Sequence, residues 1–222
     1  MQKFDTPTPV SALVDVPAGR VRFIAGDRVD TTVEVRPANA SDSRDVKAAG
    51  QTEVSYDGKV LRIELPASKN RMLGNSGSIE VVVQLPAGSR VDAKTAAGEF
   101  HGVGRLGDVT FEGAAGTVKL DETASARLAL QAGDIVVGRL GGSAEITTQK
   151  GDLRIHEAMG GTVTLRTEHG GITVGAAQGV SASLDAGTGY GRIHNALTNA
   201  DGTPGLTIHA TTSYGDITAR SL

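Results

Sequence analysis

The stretch that decides the fold is Ala144-Glu145-Ile146-Thr147-Thr148-Gln149-Lys150-Gly151-Asp152-Leu153-Arg154-Ile155. Ala144, Ile146 and Thr148 alternate before Gly151, and Leu153 stands two residues after it. Alternation on both sides of a glycine describes strand, corner, strand, because residues two apart on a strand share a face. The same offsets recur in both directions. The corner glycines are Gly98, Gly116, Gly133, Gly151, Gly170, Gly191 and Gly215, at steps of 18, 17, 18, 19, 21 and 24 residues. Seven before them stand Val91, Val109, Ala126, Ala144, Val163, Leu184 and Ile208; five before, Ala93, Phe111, Leu128, Ile146, Leu165, Ala186 and Ala210. Two after them stand Phe100, Val118, Ile135, Leu153, Ile172, Ile193 and Ile217.

One coil of this length cannot bury its apolar face alone. Equivalent coils can, by stacking so that each strand bonds to the same strand one coil away. A second repeat supports the register: Val103-Gly104-Arg105-Leu106-Gly107 recurs 34 residues later as Val137-Gly138-Arg139-Leu140-Gly141. An antiparallel sandwich does not explain offsets that repeat at every second strand. The pattern predicts an all-β chain, a single-stranded parallel β-solenoid over residues 91–222, with seven coils. At about 4.8 Å per strand, these make a rod roughly 34 Å long. Phe111, Leu128, Ile146, Leu165 and Leu184 are expected on its buried face.

Residues 1–90 read as one more coil and a cap, within a single elongated domain spanning 1–222. Ala12, Val14 and Val16 precede Gly19 at the repeat's offsets, and Val21 and Phe23 follow it. Residues 29–36 alternate as a strand. Residues 37–51 are a polar excursion with a helical turn around Asp45–Ala49. Asp57-Gly58 between two alternating runs predicts a type I′ turn, hence an antiparallel hairpin that caps the first coil. Pro66–Ser76 is a polar loop, and Ile79, Val81, Val83 and Leu85 form a strand that leads into the coils. At the far end, an insertion over Asn195–Gly205 holds Asn199-Ala200-Asp201-Gly202. The coil ending at Leu222 is then either covered by that insertion or paired with another molecule.

Composition excludes several functions. Glycine is 30 of 222 residues, used at corners. Aromatic residues are 3% and tryptophan is absent, which disfavours a sugar cleft built on flat rings. With a net charge of −3, no basic stripe exists to neutralise phosphates, so direct nucleic-acid binding is not expected. Without cysteine there is neither a disulfide framework nor thiolate chemistry. The N-terminus lacks the apolar run of a signal peptide, no segment is long enough to span a bilayer, and no C-terminal lipid signal is visible. A soluble cytoplasmic chain is expected.

The search for chemistry is mostly negative. Gly102-Val103-Gly104-Arg105-Leu106-Gly107 fits G-x-G-x-x-G, but the strand Val109–Phe111 follows where a dinucleotide site needs a helix. The histidines at 101, 156, 169, 194 and 209 share no offset. The acidic corner column of Glu99, Asp134 and Asp152, with Asp216, is read as Asp favoured in Gly-Asp corners. Its alternative is a weak Ca²⁺ site, for which two neighbouring carboxylates supply too few oxygens. The inward row Thr148, Thr167, Thr188 and Thr212 is read as hydroxyls satisfying corner carbonyls. No catalytic, cofactor or metal residue is assigned.

Tyr190 and Tyr214 stand one before their corner glycines, where Ala97, Ala115, Ala132, Lys150 and His169 stand elsewhere. They are expected to stack. They either plug the tapering end of the core or mark an end-to-end interface through the edge of the Ile208–Ala219 strands, forming a homodimer.

Leu85-Pro86-Ala87-Gly88, the alternating strand after it and the Gly-Asp-Ile/Leu corners at Gly133, Gly151 and Gly215 resemble the DUF4097 family of adhesin-like, or toastrack, β-strand repeat proteins. The likeness covers about residues 10–222. The resemblance implies a right-handed β-helix, no established enzymatic activity and no carried-over catalytic residue. The leading expectation is a non-enzymatic scaffold or protein-interaction module with a protein partner. The alternatives are a ligand- or polysaccharide-binding β-helix, calcium-dependent if the acidic column holds the cation, and an envelope adhesin, which requires export.

Overall fold

The computed structural model describes residues 1–66, 77–199 and 203–222. The expected loop at Pro66–Ser76 and the Ala200–Gly202 part of the C-terminal insertion therefore lie outside the described residues, apart from Pro66. The strands are β1 (Gln2–Asp5), β2 (Ser11–Asp15), β3 (Ala18–Gly26), β4 (Asp30–Pro37), β5 (Glu53–Tyr56), β6 (Val60–Glu64) and β7 (Ile79–Pro86), with helix α1 (Ser43–Gln51) between β4 and β5. They continue as β8 (Arg90–Ala132), β9 (Ile135–Leu140), β10 (Ala144–Lys150), β11 (Leu153–Ala158), β12 (Gly161–His169) and β13 (Ile172–Ala176). The last four are β14 (Ala182–Tyr190), β15 (Ile193–Ala196), β16 (Leu206–Tyr214) and β17 (Ile217–Ser221). All join one mostly parallel sheet that winds through the corners, and β8 alone passes the corners at Gly98 and Gly116.

The offsets read from the sequence are the register of the stack. Ala126, Ala144, Val163 and Ile208 are successive Cα partners, as are Ile135, Leu153, Ile172 and Ile217. Phe111, Leu128, Ile146 and Leu165 are at most 1% exposed. The corners need glycine for lack of room as well as for φ. A Cβ on Gly116 would lie 1.6 Å from the Gly98 carbonyl oxygen, and one on Gly133 would lie 1.6 Å from that of Gly116. Their φ values, 143° and 136°, are also costly for any side chain. Inward threonines complete the corners: Thr167 Oγ1 donates to the Gly151 carbonyl at 3.1 Å, and Thr212 Oγ1 to that of Gly170 at 3.0 Å.

The order of coils in space departs from the order in sequence at the C-terminal end. β16 lies between β12 and β14, and β17 between β13 and β15. The outermost coil is therefore β14–β15, and the strands over Ile208–Ala219 have both edges paired. Every coil carries the same apolar offsets, so the pattern is silent about order. The long step to Gly215 is what permits the return. Thr198 marks that path, its carbonyl accepting Ala182 N at 3.1 Å and its N–H donating to Ser221 Oγ at 2.9 Å.

The N-terminal end shows a related inversion. β2–β3 lies between β6–β7 on one side and β8 on the other. Beyond β7 the sheet turns antiparallel, through β4 and then β1; beyond β6 it continues antiparallel to β5. The β5–β6 turn differs from the expected type I′. Asp57 pairs with Val60, leaving Gly58 and Lys59 as the loop, and only Gly58 has positive φ, at 91°. The Asp57 carboxylate dictates this. Its Oδ1 accepts the N–H groups of Lys59 at 3.0 Å and Val60 at 2.8 Å, so Asp57 closes the turn instead of occupying its centre. The helical turn near Asp45–Ala49 is a nine-residue helix, N-capped by Asp42. Asp45 anchors it by accepting from Asn39 N at 3.0 Å and Ser78 N at 2.7 Å.

Candidate interaction surface at the C-terminal end

The residue one before each corner glycine projects outside the coil. In spatial order this row runs Ala132, Lys150, His169, Tyr214, Tyr190. The last three side chains form a ladder of rings. His169 and Tyr214 have centroids 5.0 Å apart with planes 11° apart, and Tyr214 and Tyr190 are 5.0 Å and 5° apart. The separation follows from the strand spacing. The tyrosines are outside the core: Tyr190 is 71% exposed and Tyr214 50%. They do not plug the end. His169 was legible in this row but stood two coils from Tyr214 in sequence order; the inverted coil order makes them neighbours.

The same end leaves apolar interior uncovered. Ile193 is 46% exposed, whereas its counterparts Ile217, Ile172, Leu153, Ile135, Val118 and Phe100 are at most 1% exposed. Leu184, expected on the buried face, is half-buried, because β14 is the outermost strand and no coil lies beyond it among the described residues. An open depression of about 540 Å³ flanks Ile193, lined also by Arg192, His194, Asp216 and Thr218. Among the described residues β14 pairs as a strand only with β16, and β15 only with β17; the Thr198 carbonyl takes the Ala182 N–H at the start of β14, and the outer edges beyond that point have no strand partner.

The acidic column is engaged in structure. Asp134 Oδ1 accepts Asp152 N at 2.8 Å, Asp152 Oδ1 accepts Gly171 N at 2.7 Å, and Asp216 Oδ1 accepts Arg192 N at 2.8 Å. Each carboxylate satisfies a backbone N–H in the adjoining coil, which explains why aspartate follows the corner. The Arg192 N–H holds the Asp216 carboxyl below its ordinary range. Glu99 instead bonds Arg20 Nε at 2.8 Å, and that hydrogen bond and charge lower its pKa. Among the described residues no three His, Asp or Glu side chains converge as metal ligands.

The G-x-G-x-x-G stretch lies within β8, where the Gly104 N–H donates to Asp121 Oδ2 at 3.1 Å and the Gly107 N–H to the Ser89 carbonyl at 2.8 Å. On the lateral face an open cleft of about 620 Å³ is lined chiefly by Gln131, Thr147, Gln149, Arg166, Glu168 and Thr211, with no aromatic lining residue. No helix among the described residues is long and apolar enough to cross a membrane.

A model of the family described as Toastrack DUF4097 matches residues 14–220. No curated protein matches the chain. Among solved structures, a candidate cell adhesion protein from Clostridium sporogenes is 11% identical, with a TM-score of 0.45 over 100% of this chain and 98% of that one. A candidate adhesin from Bacteroides fragilis is 10% identical, with a TM-score of 0.49 over 98% of this chain and 95% of that one. A candidate lipid-binding protein from Parabacteroides distasonis is 12% identical, with a TM-score of 0.46 over the same shares, 98% and 95%.

Proposed function

The chain belongs to the Toastrack DUF4097 family, and from that premise we propose that it is a non-enzymatic protein-interaction module whose working surface is the open C-terminal end. The observation that carries this reading is Ile193, 46% exposed where every equivalent residue in the parallel coils beyond β3 is buried. An inward-facing isoleucine left in water forfeits much of the roughly 1.5–3 kcal/mol that burying it contributes. A partner that covers it recovers that energy, pairs the edges of β14 and β15, and stacks on the outer face of Tyr190. The carboxylates singled out from sequence support a non-enzymatic role, because they serve backbone amides and an arginine.

The lateral cleft favours a second reading, a binding site for a polar ligand. Thr147, Gln149, Gln131 and Thr211 offer it hydroxyl and amide groups beside Arg166 and Glu168, the donors and acceptors that a polar ligand such as a carbohydrate would use. Calorimetric titration with calcium and with oligosaccharides tests it: heat lost in Asp152→Asn or Gln149→Ala supports this reading, and no heat from either ligand counts against it.

Site-specific photo-crosslinking in cells tests the leading reading. A photoreactive residue at position 193 should give a discrete adduct, while one at position 147 on the lateral face should not. Equal labelling from both positions, or none from 193, would contradict it.

A further inference from the structure

We propose that the occupant of the open end is a second copy of this chain, joined tail to tail about a two-fold axis. The proposal rests on the reading of that end as the working surface, and names its partner. Covering the end takes two strand edges, an apolar residue over Ile193 and a flat group over Tyr190, all at the spacing of one coil. The same end of a second copy carries that set.

The other end of the rod excludes the competing arrangement. Head-to-tail stacking would need an open first coil, but β7 is covered by β4, β4 by β1, and β6 by β5. The rings of Phe4 on β1 and Tyr56 on β5 meet at 5.4 Å and pack against the core there. The first parallel coil is thus not available for stacking, and a second rod added head to tail would meet only the antiparallel strands β1 and β5. A tail-to-tail contact uses the same patch on both copies and closes at two.

Beyond the Thr198 carbonyl on the Ala182 N–H, the edge lacks the side chains that keep sheet edges apart. Soluble sheets blunt their edges with lysine, proline, bulges or covering segments. β14 and β15 contain neither lysine nor proline. Between Ala182 and Ala196 the formal charges are one aspartate, Asp185, and one arginine, Arg192. Two copies therefore meet without net repulsion. With the axis through the Gly191 corner, β14 of one copy runs antiparallel to β15 of the other, as edge pairing permits. The Tyr190 rings then flank the axis, each opposite Arg192 of the other copy, whose planar guanidinium covers the outer ring face of the ladder His169–Tyr214–Tyr190.

Analytical ultracentrifugation of the full chain over the micromolar range tests the proposal. Wild type and Thr147→Lys, a lateral control, should sediment as two chains, and Ile193→Asp as a monomer of 22.7 kDa with unchanged circular dichroism. If Ile193→Asp does not fold, Tyr190→Lys serves, since that ring lies outside the core, and it too should be monomeric. A wild type that is monomeric at high micromolar concentration, or a dimer that survives both end variants, overturns the proposal. The in-cell adduct from position 193 separates the two levels. An adduct of two copies supports the dimer, an adduct with another protein rejects the dimer and keeps the end as the working surface, and no adduct removes both.

Discussion

The two ends of this rod face the same problem and meet it differently. A parallel coil that ends a stack has one unpaired edge on each face and an interior with nothing above it. At the N-terminal end the chain changes direction: antiparallel β4, β1 and β5 take up the edges, α1 packs beside β4 and β7, and Phe4 meets Tyr56 across the core. The buried hydroxyls of Thr6 and Thr31 bond at 2.8 Å, and Lys3 pairs with Asp30 at 2.9 Å, fastening β1 to β4. At the C-terminal end, among the described residues, the chain adds no further strand, only Leu197 packed against the core and the Thr198 carbonyl on the Ala182 N–H. Val81 on β7 is 0% exposed, whereas Ile193 at the same offset on β15 is 46% exposed. The lesson is that a solenoid's end is where its surface chemistry is decided, because the coils between the ends repeat one another.

The largest contrast is expected from a charge at these two positions. Val81→Asp places an unpartnered carboxylate in the core and should cost more than about 4 kcal/mol, abolishing cooperative unfolding. In dilute solution Ile193→Asp should cost about 1–3 kcal/mol, the apolar contact that the half-buried isoleucine makes, because its carboxylate reaches water. Urea denaturation of both variants checks the difference, and equal losses would mean that the C-terminal end is closed.

A gentler pair lies within the C-terminal end. Ile217→Ala, in the coil held on both sides, should cost about 2–5 kcal/mol. Ile193→Ala, one coil further out, should cost about half of that, in proportion to what it buries. Reversal of this ranking would place β17 outermost.

The ring ladder sharpens the comparison at smaller magnitude. Tyr214 has rings on both sides, while Tyr190 has a ring on one. Tyr214→Ala should therefore exceed Tyr190→Ala by about one ring pair, roughly 0.5–1.5 kcal/mol. A double-mutant cycle between His169→Ala and Tyr214→Ala reads that coupling, and additive costs would remove the ladder as an energetic unit.

Acid should produce the smallest effect and should act first at the N-terminal end. Arg62 and the backbone N–H groups of Val60 and Lys59 hold the Asp57 carboxyl down to about 2, and Arg44 holds that of Asp42 down to about 2. The Asp30 carboxyl is lowered by hydrogen bonds from Lys3 and Arg28. A carboxyl whose folded pKa lies below its unfolded value of 3.8 stabilises above that value and loses the contribution as pH falls toward about 2. Tyrosine fluorescence of a variant retaining only Tyr56 should therefore change between about pH 4 and pH 2 before one retaining only Tyr190 and Tyr214. Simultaneous change at both ends would contradict the assignment.

Much of the architecture was legible because the repeat is written in residues that each do one job. Ile146 shows burial, Gly133 shows a corner too tight for a Cβ, and Thr167 and Asp152 serve neighbouring coils in the positions their offsets indicate. The coil order was not legible, since Leu184 and Ile208 satisfy the same slot equally well. For the same reason the tyrosine pair could be read from Tyr190 and Tyr214, but the third ring, His169, could not. The turn at Asp57 was misread because the dipeptide Asp-Gly has two registers, and the choice lies with where the carboxylate finds its amides.

The inverted coil order is the claim from which the open end follows, and paired cysteines test it most directly. The chain contains no cysteine of its own. Thr211 is the Cα partner of Arg166 on one side and of Gly187 on the other, all on the outward face. The double variant Arg166→Cys, Thr211→Cys should be joined by a short thiol-reactive crosslinker within one chain, as should Gly187→Cys, Thr211→Cys. Arg166→Cys, Gly187→Cys, about 9–10 Å apart across the intervening strand, should not. Efficient joining of 166 to 187, with none between 166 and 211, would restore sequential stacking, put Ile193 inside the rod and contradict the account.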